Sequence, residues 1–146
     1  MARIRLTKEF SFEMAHALKD YDGACLHIHG HSYKFYVTII GEPIKDQSNP
    51  KLGMVMDFKT IKDIVNNNII ANYDHALVFN SNDTRCSEFN SKLEKLVTVN
   101  FQPTCENLIA LFADIIQKEL TGEVKLHHLK LHETATSYAE WYAEDN

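Results

Sequence analysis

The stretch IRLTKEFSFEMAH, residues 4–16, alternates between two kinds of side chain over its whole length. Its even positions are mostly apolar, whereas its odd positions are mostly charged or small and polar. A period of two residues is typical of a β-strand with one face buried and the other in water. The sequence therefore predicts a long, half-buried strand that ends at His16.

A second strand is predicted after the loop that contains Asp20 and Gly23. Its odd positions form an apolar face over residues 31–39, and it ends near Gly41. The simplest arrangement of the two strands is an antiparallel pair, in which the end of the first lies beside the start of the second. This pairing places His16 close to His29 and His31.

The segment CLHIHGH, residues 25–31, contains one thiol and three imidazoles. Imidazole is the commonest protein ligand for zinc, and a catalytic zinc site typically has three protein ligands and one open position. The segment therefore predicts a metal site with a cysteine beside it. Spacing alone is compatible with His27, His29 and His31 as the ligands.

Cys25 has three interpretations. Free cysteine is most often a small buried hydrophobic residue, and this one could also be a fourth zinc ligand that closes the site. A thiol near Zn²⁺ and a histidine has a lowered pKa, however, and can accept a proton at neutral pH. We expect the catalytic role.

Two helices are predicted in the middle of the chain. Asp57 can cap a helix whose apolar positions continue to Ile69, and Thr104 can cap a second one that extends to Leu120, before Gly122. Residues 84–99 have the pattern of a short amphipathic helix.

The last part of the chain predicts a second hairpin, formed by residues 124–133 and 136–143. The order is then strand, strand, helix, helix, strand, strand. We expect a single α+β domain over residues 1–146, with a four-stranded antiparallel sheet of two hairpins and the two main helices on one face.

Composition excludes several classes of protein. The chain has 146 residues, with 15 Lys and Arg against 20 Asp and Glu. No basic stripe is interleaved with aromatic residues, so no nucleic-acid partner is expected. No apolar run approaches the roughly 20 residues of a membrane span. The three cysteines lack the spacing of a disulfide framework, which favours a cytoplasmic location.

Six short motifs occur along the chain: FEMAH at 12–16, Cys25 followed by HGH at 29–31, GMVMDF at 53–58, Asp74-His75, PTCEN at 103–107, and Glu133-Thr134. With these motifs in this order, nearly the whole chain resembles the tunnelling-fold pterin enzymes, which include 6-pyruvoyl-tetrahydropterin synthase and 6-carboxy-tetrahydropterin synthase. Three residues separate Cys25 from His-Gly-His, which is similar to the 6-carboxy-tetrahydropterin synthases of queuosine biosynthesis. The pyruvoyl enzymes usually have a longer gap. The segment 81–101 is longer than the family pattern requires.

The resemblance implies a Zn²⁺ site and a catalytic group. The metal ligands are His16, His29 and His31, and the catalytic residues are Cys25, Asp74 and His75. Asp74 and His75 could instead be an ordinary surface pair. Because neighbours on a regular strand point to opposite faces, they can cooperate only on a turn or loop, or across a subunit boundary.

Four further residues are candidates for substrate binding. The resemblance implies that Glu133 holds the pterin, whose amino group and ring N–H can donate a pair of hydrogen bonds to a carboxylate. Thr104 and Glu106 are also compatible with ordinary helix capping. His27 contacts either the substrate or solvent.

The resemblance also implies a function and an assembly. The expected reaction is the zinc-dependent conversion of the small-molecule substrate 7,8-dihydroneopterin triphosphate to 6-carboxy-5,6,7,8-tetrahydropterin, with release of acetaldehyde and triphosphate. The alternatives are a 6-pyruvoyl-tetrahydropterin synthase that only eliminates triphosphate, and a non-catalytic pterin-binding protein with structural zinc. The expected assembly is a homohexamer, a dimer of trimers with active sites between subunits.

Overall fold

Two long strands form the centre of the protein in a computed structural model that describes residues 2–146. β1 (Ile4–His16) and β2 (His29–Gly41) each contain 13 residues. They pair antiparallel, with Ile4 opposite Gly41 and His16 opposite His29. The predicted antiparallel pair is therefore confirmed, and the second strand begins two residues earlier than its apolar face.

The sheet has six strands, in the order β4-β3-β1-β2-β5-β6. The four additional strands are β3 (Ala76–Asn80), β4 (Leu96–Val99), β5 (Lys125–His132) and β6 (Tyr138–Tyr142). The hairpin of β5 and β6 confirms the prediction at the end of the chain, and β5 pairs antiparallel with β2.

The expectation of a four-stranded, purely antiparallel sheet is wrong, because β3 and β4 add a parallel part next to β1. Four successive residues of β3 are buried, so this strand has no polar alternation. Such continuous apolar runs are typical of parallel strands that are covered on both faces. β4 lies within residues 84–99, where a helix was expected. Only α3 (Cys86–Phe89) is helical there.

A continuous helical segment follows Asp57, as predicted. It consists of α1 (Phe58–Val65), a π-helical turn (Asn66–Ile70) and α2 (Ala71–Tyr73). The side chain of Asp57 accepts a hydrogen bond of 2.8 Å from the backbone N–H of Lys59 and caps the first turn. The residues of this segment that face the core are spaced every four positions: Ile61, Val65, Ile69 and Tyr73.

The second predicted helix is α4 (Cys105–Glu119). Thr104 caps it by accepting a hydrogen bond from the backbone N–H of Asn107. The helix ends three residues before Gly122, whose φ of 72° belongs to the turn before β5. None of the helices formed by residues 2–146 is long and apolar enough to cross a membrane.

The main core lies between one face of the sheet and the helices that follow Asp57 and Thr104. Phe112 of α4 packs at its centre against Phe12, Phe35 and Tyr73. A smaller cluster covers the opposite face of β3, where Phe89 of α3 stacks on Phe79 at 5.9 Å. The segment 81–101 thus covers the sheet next to the end of β1.

Candidate functional site

Three histidines meet at one end of the central strand pair. The register places His16 directly opposite His29, and His31 lies two residues further along β2 on the same face. One ring nitrogen of each residue lies within 4.8 Å of the other two, and the group could hold a metal ion. His16 is only 2 % exposed, so this group lies at the edge of the core.

Backbone carbonyls orient two of the three rings. The Nδ1 atom of His16 lies 2.7 Å from the carbonyl oxygen of Pro103, and that of His29 lies 2.8 Å from the carbonyl oxygen of His27. If each Nδ1–H donates to its carbonyl, each Nε2 keeps its lone pair for a metal. This pairing of ring N–H and carbonyl is typical of metal-binding histidines.

The third ring, that of His31, indicates whether a cation fits between the three histidines. His31 Nε2 is buried and has no hydrogen-bond partner among residues 2–146. A buried polar atom without a partner costs free energy, which a cation between the three rings would recover. Imidazole nitrogens suit several transition-metal ions, zinc among them.

Burial also favours the neutral form of two of these rings. It lowers the pKa of His16 and of His31 below the ordinary value, although the nearby Glu133 carboxylate opposes the shift. A neutral imidazole is the form that binds a metal. The site therefore holds these side chains ready for a cation at neutral pH.

His27, which spacing alone also nominated, is not in this group. Its ring lines a separate cavity together with Lys19 and Arg85. Its contribution to the site is its backbone carbonyl, which accepts the hydrogen bond from His29. A contact of the His27 side chain with substrate stays a prediction.

A cavity of about 350 Å³ opens beside His16. Four other candidate residues from the sequence also line it: Cys25, Thr104, Glu106 and Glu133. Its volume is in the range of small-molecule sites. Thr104 caps α4 and also faces this cavity, so its two interpretations are compatible. The structure thus brings most of the expected substrate contacts next to the histidine group.

Glu133 lies between the histidines and the cavity. It follows β5 directly, and its backbone N–H donates to Ser137 across the turn to β6, with a distance of 3.1 Å. Its Oε1 atom lies 3.5 Å from His16 Nε2 and 3.8 Å from His31 Nε2. The turn between β5 and β6 therefore holds this residue with its carboxylate close to the Nε2 atoms of His16 and His31.

Tyr33 completes this part of the site and was not identified from the sequence. Its hydroxyl lies 3.5 Å from Glu133 Oε1, and burial raises its pKa, so the hydroxyl keeps its proton and donates. The alternation in β2 carried a signal for it, because Tyr33 is two residues after His31 and therefore on the same face.

Cys25 lies in a 3₁₀ turn (Ala24–Leu26) of the loop between β1 and β2 and is half-buried. The other cysteine that lines the cavity, Cys105, is buried, and burial raises its pKa to about 11. Its Sγ atom lies 3.2 Å from the carbonyl oxygen of Leu131. Cys105 is thus held as a neutral thiol, whereas Cys25 is the less buried of the two cysteines that line the cavity, and its catalytic role stays a prediction.

Asp74 and His75 lie together on a turn before β3. His75 has a φ of 61°, and this left-handed backbone brings its Nδ1 atom to 3.0 Å from Asp74 Oδ1. Burial opposes ionisation of Asp74. Hydrogen bonds from the backbone N–H of Glu13 and from His75 outweigh it, so the pKa of the carboxyl is lowered. The two neighbours interact as a pair only because this turn interrupts strand geometry.

The pair is separate from Cys25 within one chain. His75 lines a different cavity, of about 390 Å³, which His31 of the histidine group also lines, together with Glu13 and Ser32. Glu13 and Ser32 belong to the face of β1 and β2 opposite to the histidine group. Within one chain Cys25 and His75 thus line different cavities, and a joint catalytic role of Cys25, Asp74 and His75 stays a prediction.

The chain matches a known family and several curated proteins. The sequence model of the family described as 6-pyruvoyl tetrahydropterin synthase matches residues 5–144. The 6-carboxy-5,6,7,8-tetrahydropterin synthase of Haemophilus influenzae is 35% identical over 141 residues, covering 94% of this chain and 97% of that protein. The Aquifex aeolicus protein of the same name is 35% identical and covers 82% of this chain and 76% of its own length. Dihydroneopterin monophosphate aldolase of Pyrococcus furiosus is 30% identical, with 90% of each chain covered.

Two solved structures have a similar fold. An uncharacterised protein from Wolinella succinogenes superposes with a TM-score of 0.77 and 20% identity, covering 98% of this chain and 99% of that one. The 6-pyruvoyl tetrahydropterin synthase of Caenorhabditis elegans has a TM-score of 0.68 and 20% identity, with 98% and 97% covered. At this identity the likeness concerns the fold.

Proposed function

Because the chain belongs to the 6-pyruvoyl tetrahydropterin synthase family, we propose that it is a lyase acting on 7,8-dihydroneopterin triphosphate. The proposed products are 6-carboxy-5,6,7,8-tetrahydropterin, acetaldehyde and triphosphate, as in queuosine biosynthesis. One observation carries the proposal: His16, Cys25 and Glu133 line a single cavity beside the three-histidine group. Two features of the sequence support this product: its 35% identity to 6-carboxy-tetrahydropterin synthases, and the three-residue gap between Cys25 and His29.

Glu133 binds the pterin ring. Its carboxylate accepts hydrogen bonds from the amino group and the neighbouring ring N–H, a paired contact that few other ring systems offer. Tyr33 donates to the same carboxylate and keeps its orientation fixed. In the proposed pose Glu133 holds one edge of the pterin, and the side chain on the opposite edge points toward the histidine group, which lies beside the same cavity.

His16, His29 and His31 hold Zn²⁺. When bound, zinc makes the hydroxyls of the substrate side chain more acidic and polarises a developing carbonyl. The carbonyls of Pro103 and His27 keep two of the rings in the tautomer that presents Nε2 to the metal. By orienting these rings, the two carbonyls direct the reacting hydroxyls of the substrate to the side of the cavity where the histidines lie.

Cys25 and His75 transfer protons. Cys25 accepts a proton from the side-chain carbon next to the hydroxyl. Asp74 accepts a hydrogen bond from His75 Nδ1–H, which leaves Nε2 of that ring to exchange a proton with the substrate. Thr104 and Glu106 close the cavity at the start of α4.

The complete active site lies between subunits of a homohexamer, a dimer of trimers. Two observations support this part of the proposal. Cys25 and His75 line different cavities of one chain, and pairing with a second chain would allow one active site to contain both. The sheet of residues 2–146 also ends in two edge strands, β4 and β6, which pairing between subunits would satisfy.

Product analysis tests the reaction. The purified zinc-loaded protein is incubated with 7,8-dihydroneopterin triphosphate, and pterins, acetaldehyde and triphosphate are quantified. We expect 6-carboxy-tetrahydropterin and equal amounts of the other two products. A 6-pyruvoyl product without acetaldehyde would assign the chain to the alternative enzyme, and pterin binding without any turnover would assign it to a binding protein. Preferred cleavage of the monophosphate would instead indicate an aldolase.

Metal analysis tests the ligand set. We expect one zinc per subunit in the unmodified protein and a loss of zinc from the His16→Ala, His29→Ala and His31→Ala variants. His27→Ala is the matched control, because its ring lies outside the group and its backbone carbonyl is retained. Full zinc content in any of the first three variants would remove that residue from the set.

A further inference from the structure

We propose that Arg85 is a positioning residue that holds the Cys25 loop, residues 17–28, in its reactive arrangement. The proposal rests on the proposed function, in which Cys25 transfers a proton. Arg85 belongs to the segment 81–101, which contains none of the candidate site residues described above. The inference gives this segment a task in catalysis.

The guanidinium of Arg85 bonds to two points of the loop that carries Cys25, one in the turn Ala24–Leu26 and one near the start of the loop. Its Nη1 donates to the carbonyl of Leu26 at 2.5 Å, and its Nη2 lies 3.4 Å from the carbonyl oxygen of Leu18. The backbone N–H of Leu18 in turn donates to the carbonyl of Cys25 at 2.9 Å. The Arg85 side chain thus links Leu26, the residue after Cys25, to Leu18, whose N–H donates to the carbonyl of Cys25.

Asp83 orients this guanidinium from the other side. Arg85 Nε lies 3.0 Å from Asp83 Oδ1, and Nη2 lies 2.7 Å from Oδ2, a two-point contact that fixes the plane of the group. The ring of Phe79 lies below it, with the guanidinium carbon 5.3 Å from the ring centre. Asp83 is only 4 % exposed, and its backbone N–H donates to Asn80 at the end of β3. The sheet therefore anchors the arginine.

The same turn also connects to the metal centre. Leu26 accepts from Arg85, and the next carbonyl, that of His27, accepts from Nδ1 of His29. A shift of this turn would move Cys25 and would weaken the hydrogen bond that orients His29. Gln102 supports the start of the loop through two hydrogen bonds to the backbone of Lys19, at 3.0 Å and 2.6 Å. Arg85 holds the later part of the loop through its hydrogen bond to the carbonyl of Leu26.

Lysine cannot replace this arginine fully. A guanidinium has five N–H donors in a planar fork, whereas an ammonium is a compact point charge. Arg85→Lys keeps a positive charge beside Asp83 but cannot reach the carboxylate and both carbonyls together. The comparison of Arg85→Ala with Arg85→Lys thus separates the positioning of the loop from simple neutralisation of a buried carboxylate.

The experiment compares Arg85→Ala, Arg85→Lys and the unmodified protein, all zinc-loaded. Lys92→Ala is the matched control, because it removes one positive charge from an exposed position of the same segment. The measurements are kcat and KM for dihydroneopterin triphosphate, zinc content, and amide hydrogen exchange of residues 17–28. A displacement of about 1 Å at a reacting group can cost roughly 100-fold in rate, so we expect kcat of Arg85→Ala to fall by about that factor.

The remaining expected results follow from the contacts. In Arg85→Ala, KM changes only a few-fold and exchange in the loop accelerates, with kcat compared at equal zinc content; Arg85→Lys is intermediate, and Lys92→Ala matches the unmodified protein. Unchanged kcat and unchanged exchange in Arg85→Ala would overturn the proposal, as would a fully active Arg85→Lys whose loop exchanges at the wild-type rate. If the unmodified protein does not turn over this substrate, the proposed function fails, while the exchange measurement still decides whether Arg85 holds the loop.

Discussion

Replacement of Glu133 by glutamine tests the pterin anchor directly. Glu133→Gln has nearly the same shape, but it loses the negative charge and presents an amide N–H₂ where one acceptor oxygen was. The Glu133 side chain is only 26% exposed, so solvent screens its hydrogen bonds weakly. Net hydrogen bonds to a charged group contribute roughly 1.5–3 kcal/mol, against about 0.5–1.5 kcal/mol for neutral pairs.

The expected loss in pterin affinity follows from this difference. Exchanging one charged contact for a neutral one and leaving one ring N–H without an acceptor costs about 2 kcal/mol, which corresponds to about a 30-fold higher Kd. Titration with neopterin, followed by pterin fluorescence, measures this value on zinc-loaded protein. Glu119→Gln, at an exposed position of α4, is the control and should bind like the unmodified protein.

Two outcomes would refute the reasoning. Unchanged affinity in Glu133→Gln would mean that this carboxylate does not contact the pterin. Loss of zinc from the variant would mean that Glu133 belongs to the metal site, since its Oε1 atom is also 3.5 Å from His16 Nε2. Zinc content is therefore measured on the same samples.

Three further predictions concern the proton-transfer residues Cys25 and His75 and the carboxylate of Asp83, which orients Arg85. Cys25→Ala should keep zinc and pterin binding but lose about 10²–10⁴-fold in turnover, as expected for removal of a proton-transfer group, and near-normal turnover would contradict its role. Co-refolding Cys25→Ala with His75→Ala should restore part of the activity, because a site between subunits can receive each intact residue from a different chain, whereas no recovery would place both residues in one subunit. The pKa of Asp83 is lowered mainly by its hydrogen bonds to Arg85, so this carboxylate stabilises the fold above its ordinary value of 3.8, and the contribution is lost as pH falls through the lower native value. The Tm difference between the unmodified protein and Asp83→Asn should accordingly be large at neutral pH and disappear in acid, and a difference that persists in acid would indicate a role other than charge.

The parts of the fold that were predicted correctly have a strong periodic signal. Residues 4–16 alternate because one face of β1 lies on the core and the other does not, and the two main helices begin at side chains that cap them. β3 was missed because its residues are buried on both faces, which leaves a short apolar run that fits a strand or a helix equally well. β4 pairs only with β3, so the omission of one strand led to the omission of the other.

In the candidate site, too, a periodic signal in the sequence predicted part of the arrangement. The pairing of two predicted strands was sufficient to bring His16 next to His29, because register follows from the apolar faces. The carbonyl of Pro103 and the side chain of Arg85 were not foreseen. Their contacts are to backbone atoms distant in sequence, and a backbone carbonyl has no signature in the residue type that carries it.

The π-helical turn after α1 determines how much length variation this part of the chain tolerates. Four residues advance an α-helix by about 400°, roughly 40° beyond a full turn, so a strict four-residue repeat drifts around the helix. Ile61, Val65, Ile69 and Tyr73 keep that repeat and all face the core, because the wider turn at Asn66–Ile70 absorbs the drift. Deleting one asparagine from this turn would leave an ordinary α-helix in which Tyr73 keeps nearly the same direction, because the seven remaining steps from Val65 advance the helix by about 700°, close to two full turns. The wide turn therefore lets this helix lose one residue while Tyr73 stays in the core and the turn that pairs Asp74 with its neighbour keeps its place.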